Sequence, residues 1–135
     1  MPRVFRIMRE DDDQLPMVGP TGLGIRPGID VDLNGVSEVL VNGKGMSVAP
    51  NWRDINVARI PKRLRTLIAG ARGSNNTHCF RMGEGPFQRG NINQQLILEP
   101  DSPAHGNIAP ATVVSLNTFE GDLAATRPNW VKDES

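Results

Sequence analysis

The sequence contains no tyrosine, four phenylalanines, two tryptophans and a single cysteine among its 135 residues. So few aromatic side chains make a poor stacking platform for single-stranded nucleic acid. One cysteine cannot form an internal disulfide, and Cys79, His78 and His105 together fall short of the four ligands of a structural zinc site. The sequence therefore predicts no disulfide and no metal site, and it does not favour nucleic-acid binding.

The chain also lacks net charge and long apolar runs. Fifteen basic residues balance fifteen acidic ones. No run approaches the roughly 18 apolar residues of a membrane span, and the first residues, MPRVFRIMREDDD, hold no apolar signal core. We expect a cytoplasmic protein that does not enter the membrane. The length predicts a single domain over residues 1–135, with a loose C-terminal end at about 132–135.

Basic residues are concentrated in the middle of the chain. Residues 53–89 hold eight lysines and arginines and two acids, a net charge of +6. Lys62, Arg63 and Arg65 are the densest group, and they could dock an acidic protein or a phosphorylated ligand. The alternative is a solvated face that is balanced by the acidic termini folded beside it.

Short strands dominate the first half of the predicted fold. Residues 3–8 alternate as a strand with apolar residues on both faces, which indicates an interior position. The glycine- and proline-rich stretch 15–32 predicts a loop with a brief strand near 23–25. Residues 37–41 and 45–49 flank Asn42-Gly43, the typical signal of a β-hairpin.

The second half predicts two helices and further short strands. Pro61, the apolar spacing after it and Gly70 predict a helix over 61–69, and Asn117 with Glu120 favours a cap for a helix over 116–126. Strands are predicted at 77–82 and 95–98, at 111–116 and at 130–131, and a kinked segment is predicted over 103–110. The fold class is therefore α+β, a compact single domain with a mostly antiparallel sheet and two short helices.

Three polar residues stand in surroundings that suggest a role. Glu84 lies between two glycines, which let a backbone or a ligand approach closely, and the alternative is a turn with a solvated acid. Arg6 lies on a strand face between Val4 and Met8, where its guanidinium must reach a carboxylate, a phosphate or water. The structural alternative is an ion pair with one of the acids at 11–13. His105 lies in a tight, irregular stretch, a common place for binding residues.

Two short segments resemble a known family. The strand Val4–Ile7 carries an arginine, and after a glycine- and proline-rich loop the segment Gly43–Val48 is similar to a glycine-rich element that ends in a serine and a hydrophobic residue. In this layout the chain resembles the small ADP-ribosyltransferase-like toxins of type VI secretion effectors and toxin–antitoxin systems. The middle of the chain is similar to small bacterial proteins carried on mobile gene cassettes, for which membership implies no activity.

The resemblance implies an ADP-ribosyltransferase-like fold and an enzyme that consumes NAD to modify an unknown bacterial target. It implies that Arg6 holds the NAD phosphates and that Ser47 orients the nicotinamide ribose. It makes Glu84 the catalytic acid, with His105 as its substitute. The enzyme hypothesis therefore predicts that Arg6, Ser47 and one acid meet in a single cleft.

A different class of function stays open. The chain could be a binding module without catalysis that docks an acidic partner, such as an antidote protein, through Lys62, Arg63 and Arg65 of the predicted helix 61–69. This hypothesis predicts a continuous positive patch and no deep pocket. The sequence does not distinguish either hypothesis from self-association through an exposed strand edge.

Overall fold

The first strand, β1 (Val4–Arg9), lies between two hydrophobic cores in the computed structural model, which describes residues 1–134. Val4 and Met8 are fully buried in the larger core, whereas Phe5 is buried in the smaller one and Ile7 packs against it. The strand pairs antiparallel with β4 (Thr77–Met82). The predicted burial of both faces is confirmed, although β1 is the edge strand of its own sheet and meets the next sheet through a single bridge at Phe5.

Short strands form three antiparallel sheets within residues 1–134. Besides β1 and β4, the strands are β2 (Glu38–Val39), β3 (Met46–Val48), β5 (Gly90–Asn91), β6 (Leu96–Ser102), β7 (His105–Pro110), β8 (Val114–Ser115) and β9 (Val131–Lys132). The sheet orders are β1-β4-β9, β3-β7-β6-β5 and β2-β8. Phe5 and Ala49 exchange both backbone hydrogen bonds, at 2.8 and 3.0 Å, and so join the first two sheets.

One α-helix, α1 (Leu116–Ala124), packs on the larger core within the described residues. Phe119 and Leu123 are fully buried there. The helix predicted over 116–126 is confirmed, but its cap is Ser115, whose hydroxyl accepts a hydrogen bond from the Thr118 N–H at 3.1 Å. Ser115 precedes the helix with extended backbone, as an N-cap requires.

The hairpin predicted at Asn42-Gly43 is wrong. Gly43 does turn the chain, with a φ of 86°. The strands on its two sides, however, pair with distant partners, β2 with β8 and β3 with β7. Long-range pairing onto a buried sheet buries more apolar surface than a two-stranded ribbon on its own, which is marginal in water.

The helix predicted over 61–69 is also wrong. The segment forms one 3₁₀ turn, Lys62–Leu64, and then hydrogen-bonded turns. Its backbone pairs with Gly73 instead, because the Lys62 N–H donates to the Gly73 carbonyl at 3.1 Å. The predicted apolar spacing describes three of its four positions, since Ile60, Leu64 and Ile68 contact the smaller core, whereas Leu67 is exposed.

Three further predictions need correction. The segment 103–110 is mostly regular strand β7, which forms a hairpin with β6, and residues 23–25 form no strand beyond a single bridge at Leu23. The C-terminal end is held through Glu134, because Lys132 pairs with Phe80 and Glu134 bonds to β4. Ser135, the last residue of the predicted loose end, lies outside the described residues.

The observed architecture is thus a compact α+β domain of mostly antiparallel sheets with one main helix. Within residues 1–134, no helix has the length and apolar character needed to cross a bilayer.

Candidate functional site

A cavity of about 500 Å³ opens where β1, β3 and the β6–β7 hairpin meet. This volume is within the range of small-molecule sites, roughly 300 to 1,000 Å³. The lining mixes apolar, polar and charged side chains from distant parts of the chain. They are Phe5, Arg6, Ile7, Pro20, Thr21, Ser47, Val48, Ala49, Asp54, Ile55, Asn56, Arg59, Ser74, Thr77, Ala104 and His105.

Arg6 is held in this cavity by backbone carbonyls. Its Nε donates to the Gly22 carbonyl at 2.9 Å and its Nη1 to the Ser47 carbonyl at 2.8 Å, while Nη2 has a longer bond of 3.4 Å to Pro20. Among the described residues it forms no ion pair with a carboxylate. The predicted alternative of an ion pair with the acids at 11–13 is wrong, because the Asp13 carboxylate pairs with Arg127 at 2.8 Å.

The glycine-rich loop supplies two of these carbonyls because its backbone is tightly packed. A Cβ atom at Gly22 would collide with the Met17 carbonyl oxygen, and one at Gly24 would collide with the backbone of Gly19. Gly19 itself has a φ of 117°, a conformation that favours glycine. The glycines that predicted only a loop therefore help to position the carbonyl cap of Arg6, by which we mean the carbonyl groups of Pro20, Gly22 and Ser47.

The positive charge of Arg6 is poorly compensated. The pKa of Arg6 is lowered to about 10, chiefly by burial and also by the positive charges of Arg59 and Arg26, while Asp30 opposes the shift. The guanidinium still carries its full charge at neutral pH. Carbonyl oxygens orient a cation but do not neutralise it, so the half-buried side chain retains an excess of positive charge at the cavity.

Donor counting shows what Arg6 can still bind. A guanidinium has five N–H groups, and the three carbonyls use one on Nε, one on Nη1 and one on Nη2. One N–H remains on each terminal nitrogen. Two such donors can hold two oxygens of a carboxylate or a phosphate at once. Arg59, an exposed cavity residue with no side-chain partner among the described residues, adds a second positive charge.

His105 reaches the cavity from the first position of β7. Its Nδ1 lies 2.8 and 3.0 Å from the two carboxylate oxygens of Asp101, at the other end of the hairpin turn. When neutral, the ring therefore donates its Nδ1–H to Asp101 and leaves Nε2 as an acceptor. This arrangement gives the cavity a histidine that a carboxylate orients.

The sequence candidates divide between two places. Arg6, Ser47 and His105 line the same cavity, and Ser47 also accepts a hydrogen bond from Arg6 through its carbonyl. Glu84 lies outside it, with a largely exposed side chain that pairs with Arg81 at 2.5 Å. The glycines beside Glu84 serve another contact, because the Gly85 N–H donates to the Met1 carbonyl at 2.8 Å.

The basic segment is only partly available to a partner. Arg63 donates to Glu134 at 2.6 Å and to the Thr77 carbonyl at 2.9 Å, so the acidic C-terminal end compensates its charge. Lys62 and Arg65 are exposed, and their side chains form no ion pair within the described residues. The positive surface is therefore a turn with two available charges rather than a basic helix face.

Sequence reasoning missed three charged residues of the site. Asp54 and Arg59 line the cavity, and Asp101 orients His105. Asp101 and His105 are four residues apart and flank a proline, which is a local hint of a turn that brings them together. No local sequence pattern indicates Arg59, because its approach to Arg6 depends on how the segment 54–60 packs against β1.

The comparisons with known proteins give no relative of this chain. No family model matches it, and neither a curated protein nor a solved structure is significantly similar to it.

Proposed function

We propose that the cavity binds a small organic anion, held through its phosphate or carboxylate oxygens by Arg6 and Arg59. The observation that carries this proposal is the Arg6 guanidinium, fixed by carbonyl oxygens and left without a carboxylate partner among the described residues. An anion would supply the missing charge and occupy the two remaining N–H donors. Apolar neighbours such as Phe5 and Ile55 suit the uncharged part of such a ligand.

NAD is the first ligand to test, because its two phosphates suit the proposed anion site and the resemblance implies it as the substrate. Two residues that the resemblance assigns to NAD, Arg6 and Ser47, line one cavity, which supports this choice. Glu84 does not fit the role of the catalytic acid, because it lies outside the cavity, whose described lining contains the carboxylate of Asp54. ADP-ribosyl transfer is the activity that the resemblance implies for NAD, and it would need Asp54 or His105 in the role that the resemblance gives to Glu84.

Thermal unfolding with and without millimolar ligand tests the binding step. The ligands are NAD, ADP, inorganic phosphate and uncharged nicotinamide. A ligand at about a hundred times its dissociation constant stabilises the fold by roughly 2.7 kcal/mol, which raises Tm by several degrees. We expect a rise with NAD and ADP and none with nicotinamide.

The variants locate the binding site. Arg6→Ala should abolish the rise, but this change also removes three hydrogen bonds to the fold. Arg59→Gln therefore serves as a milder probe, because its exposed side chain bonds to no described residue, and it should weaken the rise. Arg65→Gln removes an exposed arginine outside the cavity and should leave the rise intact. A rise that is equal in all four proteins, or absent from the wild type, overturns the proposal.

A second candidate function is docking of an acidic protein through the exposed pair Lys62 and Arg65. The observation in its favour is that both charges lack partners among the described residues, while the neighbouring Arg63 is already neutralised. A pull-down that is sensitive to salt and that the double change of Lys62 and Arg65 to glutamine abolishes would support it. Retention of the partner by this double variant would exclude it.

A further inference from the structure

We propose that His105, oriented by Asp101, is a general base that directs water to the phosphorus of a disubstituted phosphate bound by Arg6. The cavity would then hydrolyse phosphate diesters or the diphosphate bridge of a dinucleotide. This inference rests on the proposed anion site, and it names the class of substrate.

The hairpin geometry provides the base. Asp101 is the penultimate residue of β6, at a register shift between Pro100 and Ser102, and His105 begins β7. Both carboxylate oxygens of Asp101 lie within hydrogen-bond distance of His105 Nδ1, at 2.8 and 3.0 Å, which fixes the orientation of the ring and its tautomer. A proton acceptor, Nε2, remains on the histidine that lines the cavity. A nucleophile activated by an oriented histidine is the usual form of general base catalysis.

The charges of the cavity favour attack at phosphorus over cleavage of a glycosidic bond. Glycosidic cleavage commonly uses two carboxylates on opposite sides of the sugar. Among the described residues the lining contains one carboxylate, Asp54. Arg6 and Arg59 instead supply the positive charge that stabilises a phosphoryl group as its oxygens gain charge. A ligand that fills a cavity of about 500 Å³ contacts both the Arg6 side and the His105 side.

The step balances with water as the co-reactant. His105 Nε2 takes a proton from water as the water oxygen forms a bond to phosphorus. The bond between phosphorus and the leaving oxygen breaks on the opposite side. The leaving group departs as an anion that takes any proton from solvent, and the protonated histidine releases its proton to solvent. From NAD the products are AMP and nicotinamide mononucleotide.

Two substrates test the step. Bis(p-nitrophenyl) phosphate reports cleavage at phosphorus by colour, and chromatography of an NAD reaction identifies the bond that breaks. We expect the wild-type protein to release p-nitrophenol and to yield AMP from NAD. His105→Ala should lower kcat about 100-fold, within the usual contribution of a general base. Added imidazole should restore part of that rate, which a purely structural role of His105 would not allow.

Asp101 is a positioning residue, and its test separates kcat from KM. Asp101→Asn should lower kcat by at most the roughly 100-fold expected for His105→Ala, with little change in KM, because the histidine loses its fixed tautomer. In a His105→Ala background the same change should have no further effect on kcat. Asp12→Asn, which alters an exposed carboxylate outside the cavity lining, should match the wild type.

Each remaining outcome overturns the inference. ADP-ribose and nicotinamide as the NAD products would place the chemistry at the sugar and not at phosphorus. Ligand-induced stabilisation without any turnover would reject the base while leaving the anion site intact. Failure of all ligands to raise Tm would reject the anion site as well.

Discussion

Arg6 shows how one residue can be a structural part of the fold and a binding group at once. Its strand position places it between two fully buried neighbours, Val4 and Met8. Three carbonyls then fix the guanidinium without neutralising it. A structural arginine is normally satisfied by a carboxylate, since an unpaired charge in a partly buried site is costly. The cost that remains at Arg6 is what a bound anion would relieve.

Arg59 should therefore lower the stability of the ligand-free protein. Its charge is one cause of the lowered pKa of Arg6, which means that the two cations repel each other. We expect Arg59→Gln to raise the free energy of unfolding by about 0.2–1 kcal/mol, the range of interactions between exposed charges. Urea unfolding at low ionic strength measures this gain.

The control for this prediction is again Arg65→Gln, which removes the same charge away from Arg6. The gain in Arg59→Gln should shrink at about 0.5 M salt, because screening weakens the repulsion. A variant that gains stability but responds less to ligand would show that the position serves binding at the expense of the fold. A loss of stability in Arg59→Gln would contradict the repulsion.

At the scale of the elements, the sequence predicts those strands and the helix whose own pattern of apolar residues shows which face is buried. Alternation or helical spacing of apolar residues predicts the strands at 77–82 and near 4–9 and the helix that begins at Leu116. The predicted helix over 61–69 shares this spacing but forms turns, because its backbone finds Gly73 as a partner. The spacing of apolar residues therefore predicts which residues are buried more reliably than it predicts whether their backbone forms a helix or turns.

For the candidate site, the sequence likewise predicts which residue stands out but not the contacts that hold it. Alternation along β1 identifies Arg6 as a charged residue among apolar ones. The carbonyl cap could not be predicted, since the Ser47 carbonyl is 41 residues away and its approach depends on the bridge between Phe5 and Ala49. Glu84 fits the resemblance by residue type alone, and tertiary packing places it against Arg81.

Two glycines provide a prediction about elements. Gly121 lies inside α1, where an added Cβ would meet no atom within 4 Å. Gly121→Ala should stabilise the protein by about 0.5–1 kcal/mol, because alanine loses less backbone entropy in a helix. The measurement is the urea midpoint at an unchanged m-value.

Gly45 supplies the opposite case. A Cβ there would collide with the Ile108 carbonyl, where the chain enters β3 beside β7. Gly45→Ala should destabilise the protein by about 1–3 kcal/mol, the usual cost of overpacking. If both variants shifted the midpoint in the same direction, the placement of Gly121 in an open helix face or of Gly45 against β7 would be wrong.

At the scale of the whole molecule, the uneven charge of the sequence is balanced by contacts between distant segments. Basic residues of the middle segment pair with the C-terminal end, Arg63 with Glu134 at 2.6 Å and Arg81 with Asp133 at 3.0 Å. Lys132 in turn reaches Glu10 at 2.7 Å. The acidic termini therefore fold beside the basic segment, and the cavity near Arg6 is left as a place where positive charge stays in excess.

These contacts predict how stability depends on pH. The hydrogen bond from Lys132 lowers the pKa of Glu10, and Lys44 with Asn42 lowers that of Asp32. The ordinary values, 4.5 for Glu10 and 3.8 for Asp32, apply to the unfolded chain. Because the folded pKa values lie below these, the unfolded chain binds more protons in this range. The stabilisation is complete above about pH 5 and is lost as pH falls through the folded pKa values.

Thermal unfolding from pH 8 to pH 2.5 measures this dependence, with Lys132→Gln as the variant that tests its cause. These carboxylates should leave Tm unchanged between pH 8 and about pH 5.5 and lower it progressively below that. In Lys132→Gln the pKa of Glu10 returns toward its ordinary value, so the variant starts from a lower Tm and loses less of it in acid. The two curves should therefore converge at low pH. Parallel curves would mean that Glu10 has the same pKa with and without Lys132, and that the contact between Glu10, just after β1, and Lys132 of β9 does not contribute to the acid sensitivity of the fold.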